Sequence, residues 1–355
     1  MSSLLIKNGR VWDGEKFFFA DILTENDKIK KIAEKITDNV DYTYNAEGKI
    51  VSPGLVDAHI HIRGISSPEF AIHPEMSTFP FGVTAAADAS AAYGTREILD
   101  FLMLKNVVFV CAGIRDNKAD FSSAEDGMCK FCDKVIGIKT FYDKEIADVS
   151  DISPLCEIVE FAEKHNLKVM VHSSNSPIPM DELLSVLREG DILTHAFHGG
   201  KHNVSEDDFE CLKKARNRGI IIDAGMAGCV HTNFKVFKDA IFCGVIPDTI
   251  STDITRFSAY KRGGRYGLTM CMSIAKTLGM AEEDIFRAVT VNPAKALDKE
   301  SLWGRLYEGG CADIAVISYS EEPFDITDAE GNNVSDKMGY RCELTIADGE
   351  VVYKR

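Results

Sequence analysis

His59 and His61, one residue apart in Asp57-Ala58-His59-Ile60-His61, are the residues of this chain best spaced for metal chemistry. Positions i and i+2 of a strand face the same way, so both imidazoles can grip one ion. The lead-in, Val51-Ser52-Pro53-Gly54-Leu55-Val56, sets a Pro-Gly turn before an apolar run that ends at the histidines. Four further ligand-type residues close apolar segments in the same manner. They are Lys139 in Val135-Ile136-Gly137-Ile138-Lys139, His172 after Val169-Met170-Val171, His195 after Ile192-Leu193-Thr194, and Asp253 after Thr249-Ile250-Ser251-Thr252. Taken singly, each histidine reads equally as a core or rim residue. Six such residues at the ends of five strands exceed what coincidence supplies. Lys139 has two readings: a rim lysine in water or an ion pair, or a buried amine depressed enough in pKa to react with CO2 and bridge two metals as a carbamate. Two divalent cations offset by a carbamate, an aspartate and a hydroxide would leave a weakly positive, Lewis-acidic centre. Imidazole and carboxylate donors suit Zn²⁺ best, with Mn²⁺, Co²⁺ or Fe²⁺ as substitutes.

The elements that must position these residues alternate along the chain. Strand-like segments at 55–61, 82–87, 107–113, 135–141, 168–173, 191–197, 220–224 and 248–253 recur roughly every 28 residues, the spacing and number of a (β/α)8 barrel. Ser153-Pro154 suits a helix N-cap and first turn, and Gly190 closes a helical stretch from Asp181 to Arg188. Both ends of the chain read as short strands and turns. Residues 1–52 and 302–355 are therefore expected to form one small β-sandwich domain, and residues 53–301 the α/β TIM barrel.

The 355 residues suffice for that pair of units, and 45% hydrophobic with 27% charged residues is ordinary globular composition. A net charge of -15 argues against nucleic acid or an anionic membrane as partner. The ten cysteines are scattered, which is reduced, cytoplasmic usage. No apolar run approaches membrane-spanning length, and the N-terminus lacks the apolar core of a signal peptide.

Pro53-Gly54-Leu55-Val56-Asp57-Ala58-His59-Ile60-His61, Lys139, His172, His195 and Asp253 resemble the binuclear amidohydrolase superfamily across the whole chain. Asn292-Pro293-Ala294-Lys295-Ala296-Leu297 and Trp303-Gly304-Arg305-Leu306 are similar to that family's exit from barrel to sandwich. Gly190 to Gly199 and Pro247 to Asp253 are similar to a dihydroorotase-related branch, whose members often carry the labels dihydroorotase or adenine deaminase. The resemblance implies that His59, His61 and Asp253 hold a buried metal, and His172 with His195 a more exposed one. Carboxylated Lys139 would bridge both. It also implies attack by a metal-bridging hydroxide on an amide or ester, with Asp253 shuttling the proton. The substrate class favoured is a small carboxylate-bearing molecule, an N-acyl amino acid or acylated hydroxy acid. A cyclic amide, as in dihydroorotases and hydantoinases, is the alternative; adenine deamination and a non-catalytic scaffold are weaker ones. Homo-oligomers are common among similar proteins, though no patch in the sequence demonstrates one.

Weaker signals surround this set. Arg63 occupies the place where dihydroorotases carry a carboxylate-binding arginine. Arg256, Lys261, Arg262 and Arg265 crowd the segment after the eighth strand, where an anionic substrate group would be read, although a solvated charged loop explains them as well. His198 could orient substrate or polarise its carbonyl, whereas His202 and His231 read as loop polarity, and His73, in the long segment after the first strand that could serve as a lid, has no assignable chemistry. Cys129-Lys130-Phe131-Cys132 has no further ligands nearby and reads as structural.

Overall fold

In the computed structural model, which describes residues 3–62, 72–91, 96–261 and 263–355, the expected barrel strands run in parallel order. They are Leu55–Ile60, Val83–Ala91, Lys105–Cys111, Val135–Phe141, Lys168–His172, Ile192–Thr194 and Ile221–Ile222. The eighth, residues 249–254, joins by single bridges rather than a ladder. Asp223 pairs with Thr249 on one side and Ile60 with Ile254 on the other, closing the ring. The fold is a (β/α)8 barrel with a mostly antiparallel sheet beside it.

Two buried aspartates reinforce the bridged seam. Asp57, from the first strand, accepts Thr252 N (3.1 Å) and Thr252 Oγ1 (2.6 Å). Asp223, from the seventh, accepts Thr249 Oγ1 (2.6 Å), Ser251 Oγ (2.7 Å) and Thr194 Oγ1 (2.7 Å). Buried carboxylates are costly unless their lone pairs are used; four of these five bonds go to the one strand that lacks a ladder, and the fifth, from Thr194, to the sixth.

The barrel interior is plugged by Val56, Ala58, Ala85, Phe109, Met170 and Ile192. Met170 lies two residues before His172 and Ile192 two before Thr194, so the plug sits beneath the polar strand ends. Gly137 leaves room for this packing: a Cβ there would lie 2.4 Å from Phe109 Cε1 and 2.8 Å from the Lys168 carbonyl oxygen.

Strands from both termini share one eight-stranded sheet around a core that includes Ile6, Ile22, Val51, Ile314 and Leu344. Asn8-Gly9 is a bulge within one strand, Ser3–Trp12, with Asn8 at φ 62°. The C-terminal part differs most from expectation. Ile314–Thr327 and Asn333–Ala347 form one long hairpin, far beyond the apolar segment at 311–317. The hairpin lies along the helix Leu268–Thr277, where Tyr340 N donates to Ser273 Oγ (2.8 Å). At its tip Asp328 accepts Phe234 N (2.8 Å) at the start of the helix Phe234–Phe242. Helix ends also differ. Ser153 is the first helical residue, behind Ile152 at the N-cap, and the helix from Met180 stops at Ser185, before Arg188 and Gly190.

Gly137→Ala should cost about 1–3 kcal/mol of stability, because the added methyl overpacks Phe109 in an interior with no slack. A urea melt measures it; an unchanged midpoint would show that the plug is looser than described.

Candidate metal centre

His59, His61, Lys139, His172, His195 and Asp253, each at or near the end of its strand, meet on the C-terminal face of the barrel. Asp253 is the hub. Its Oδ1 lies 2.7 Å from His61 Nε2 and 3.3 Å from His59 Nε2, and its Oδ2 lies 3.7 Å from His195 Nε2. Lys139 Nζ is 3.4 Å from His59 Nε2. His172 and His195 stack edge to face, with centroids 4.4 Å apart. His195 (φ 58°) and Asp253 (φ 46°) both adopt the left-handed conformation, which ends each strand abruptly at the site.

Hydrogen bonding decides which imidazole nitrogens are bare. Thr194 gives its proton to the Asp223 carboxylate, so its oxygen can only accept from His59 Nδ1, 3.0 Å away. His59 Nε2 is left without a proton, facing Asp253. His195 Nδ1 lies 2.5 Å from the Gly225 carbonyl, which can only accept, so His195 Nε2 is bare too, and it has no protein partner among the described residues. Gly225 is required here: at φ 48° it brings its carbonyl under the ring, and a Cβ would lie 2.4 Å from Thr194 Oγ1. His172 Nε2 is held by Asp143 Oδ2 at 3.3 Å, leaving Nδ1 as its free donor atom. A hydroxyl, a carbonyl and a carboxylate stand behind the His59, His195 and His172 rings, the kind of backing that orients histidine ligands toward a metal.

The fit to a cation follows from these nitrogens. Lone pairs of His59 Nε2 and Asp253 Oδ1 face each other at 3.3 Å in a dry interior. Such a pair needs positive charge close by, which the Lys139 ammonium, 3.4 Å from His59 Nε2, supplies in part and a bound cation would supply in full. His59, His61 and Asp253 have donor atoms within 4.8 Å of one another, the geometry of a metal site.

Electrostatics agree. Burial pushes His59 down to about 4 and His172 to about 3, so both are neutral, as ligands must be. Burial pushes the Asp253 carboxyl up, but His59 and His61 outweigh it and hold the group below the usual carboxylate range. Burial lowers Lys139 to about 8 against the pull of Asp253 and Asp223. At pH 7 roughly one such amine in ten is uncharged and nucleophilic.

The remaining candidates separate. His198 is buried close to Asp143 and His231, and burial takes it to about 4. Arg256 is exposed, its guanidinium 5.7 Å from the Tyr260 ring. Arg265 lines a cavity of about 290 Å³ between Phe81, Met270, Phe324, Arg341 and Arg355, away from the histidines. Arg63 and Arg262 lie outside the described residues, as does the side chain of Lys261. Cys129 and Cys132 are exposed free thiols, and Cys132 Sγ donates to the Cys129 carbonyl (3.3 Å). His73 is exposed, and His202 lies 3.9 Å from Glu206.

Sequence reasoning missed four residues here. His231, read as loop polarity, stands 4.6 Å from the His195 ring and 4.8 Å from that of His172, with Nδ1 3.0 Å from Ser174 Oγ. Asp57, Asp143 and Asp223 orient ligands or the strand that carries one. Asp57 and Asp223 belong to the segments that supplied His59 and the seventh strand, so the strand-end signal used for the ligands also points to them.

A barrel with imidazoles, a carboxylate and a buried lysine at one end of its strands has a site that fits a metal-dependent hydrolase. A family model described as the amidohydrolase family matches residues 275–353. A deacetylase of Agrobacterium fabrum is 30% identical over 81% of this chain and 75% of its own length. One of Enterococcus faecalis is 28% identical over 98% of both. The crystal structure of a dihydroorotase, 24% identical, superposes with a TM-score of 0.87 over 99% of this chain and 98% of that one, a likeness of fold. The chain belongs to the amidohydrolase superfamily and is a hydrolase.

Thr194→Val keeps the volume but breaks the relay from Asp223 to His59, so metal affinity should fall about 10–100-fold in a chelator competition; unchanged affinity would remove the tautomer argument. Lys139 makes a signed prediction for metal-free protein. Its folded pKa, about 8, lies below the ordinary 10.5, so the unfolded chain binds the extra proton between those values. Its contribution to stability therefore rises with pH from about 8 and is complete above 10.5. Lys139→Met should lack that rise when its melts are compared with those of the unaltered protein over the same range.

Proposed function

We propose that this enzyme removes the acyl group from a small carboxylate-bearing molecule, an N-acyl amino acid or an acylated hydroxy acid. The observation that carries the proposal is the convergence of the His59, His61 and His195 Nε2 atoms on Asp253 beside a buried, depressed lysine. The relatives named deacetylases, one matched over nearly its whole length, favour a linear acyl substrate over a cyclic amide.

His59, His61 and Asp253 would hold one divalent cation and His172 with His195 a second, both most simply Zn²⁺, with a CO2-derived carbamate on Lys139 shared between them. Bound there, two such cations would supply Lewis acidity toward the attacking water and the acyl oxygen. The rest is done by the chain. Neutral Lys139 attacks CO2 and loses a proton, exchanging an ammonium that repels cations for an anion that binds them. Asp253, ionised across the neutral range, takes the proton of the attacking water as it adds to the acyl carbon. It returns that proton to the nitrogen or oxygen whose bond to carbon then breaks. The Asp57–Thr252 bonds fix the residue before Asp253, so this carboxylate is held against the histidines throughout.

The test is hydrolysis by zinc- and bicarbonate-treated protein of one mixed panel. It contains N-acetyl D- and L-amino acids, acylated α-hydroxy acids, hydantoins, dihydroorotate and adenine. Turnover is expected with linear acyl compounds. Turnover confined to dihydroorotate, hydantoins or adenine would overturn the substrate class. Asp253→Asn should lower kcat by about 10²–10⁴-fold while the protein stays folded, and a variant that kept full activity would sink the proton shuttle.

A further inference from the structure

We infer that His198 is a specificity-determining residue, whose Nε2–H donates to an oxygen of the substrate's carboxylate, away from the bond that breaks. The inference rests on the deacylase reading above and adds a residue to it.

The tautomer is set by the backbone. Gly200 N–H donates to His198 Nδ1 at 3.1 Å, so Nδ1 bears the lone pair and the proton sits on Nε2. That Nε2–H is buried and has no partner among the described residues. A buried donor without an acceptor is costly, and folded proteins rarely keep one unless a ligand completes it.

The ring is also held in place. A Cβ on Gly200 would lie 2.3 Å from the Ser174 carbonyl oxygen, and one on Gly199 would lie 2.6 Å from Glu330 Oε1. The segment after His198 is therefore clamped between the fifth barrel strand's loop and the tip of the C-terminal hairpin. That rigidity is what a donor needs if it is to recognise one oxygen position.

The position within the site indicates which oxygen. Gly200, which donates to His198 Nδ1, lies against the Ser174 carbonyl, and Ser174 Oγ is 3.0 Å from His231 Nδ1, whose ring stands 4.6 Å from that of His195. With Asp253 as the point of attack on the acyl carbon, His198 lies on the Ser174–His231 side of the site, further out than His195. A group there meets the leaving half of the substrate, which in this class ends in a carboxylate. Such a bond is made equally in ground and transition states, and its loss appears in KM rather than kcat.

The experiment compares the zinc-loaded protein with His198→Phe, which fills the volume without a donor, and His198→Gln, whose amide N–H reaches a similar place. On a linear acyl compound that turns over, His198→Phe should raise KM about five- to twentyfold, leave kcat within about twofold, and be largely rescued by His198→Gln. An unchanged KM, or a loss confined to kcat, overturns the inference while leaving the deacylase reading intact. A second readout needs no turnover. In ¹⁵N-histidine-labelled zinc-loaded protein, the His198 Nε2–H resonance should shift with N-acetylglycine and stay still with N-methylacetamide, the same amide without the carboxylate. A resonance unmoved by saturating N-acetylglycine overturns the inference even if no compound of the panel is hydrolysed.

Discussion

The buried Asp223 carboxylate is the interaction on which the site depends. It accepts hydroxyl protons from Thr194, Thr249 and Ser251, tying the sixth and eighth barrel strands to the seventh at the point where the strand ladder gives out. Because it takes the proton of Thr194, it also decides the proton of His59 across the barrel. One side chain thus closes the barrel and sets which nitrogen of a candidate metal ligand carries the proton. Asp57 does the complementary work from the first strand, and burial pushes its carboxyl up to about 7 against the bonds from Thr252. The seam is polar because the eighth strand must deliver Asp253 into the middle of the site, and a regular strand running on would carry that side chain past it.

This construction explains why the site residues adopt unfavourable states. His195 and Asp253 are left-handed, and Lys139 is an amine with no exposure to water. Each is tolerated because its neighbours over-determine it: the Gly225 carbonyl for His195, the Asp57–Thr252 clamp for Asp253, and two nearby carboxylates for Lys139. The remote hairpin belongs to the same logic. Asp328 caps the helix that follows His231, and Glu330 presses on the segment that follows His198. The tip of the C-terminal hairpin therefore steadies two loops of the active face.

Much of this was legible from residue types. Apolar segments ending in His, Lys or Asp located the strands to within a few residues, because a barrel strand is buried on both sides until it opens onto the active face. The eighth was legible as a segment but not as a bridged seam, since its Thr and Ser hydroxyls read as strand polarity until their acceptors are placed. The long hairpin was missed because its outer half alternates exposed and half-buried residues, as in Glu321 to Asp325, and offers no apolar run. His231 was missed for a different reason: a loop histidine carries no periodicity, and only the Ser174 contact and the neighbouring rings distinguish it from surface polarity.

The measurement that goes most directly to the central claim is diffraction at the zinc edge from crystals grown with zinc and bicarbonate. The account predicts two anomalous peaks per chain, one bound through His59 Nε2, His61 and Asp253 and one through His172 and His195, with carboxyl density on Lys139 Nζ. No peak at the Asp253 hub, or His59 turned to present Nδ1 to the metal, would contradict it.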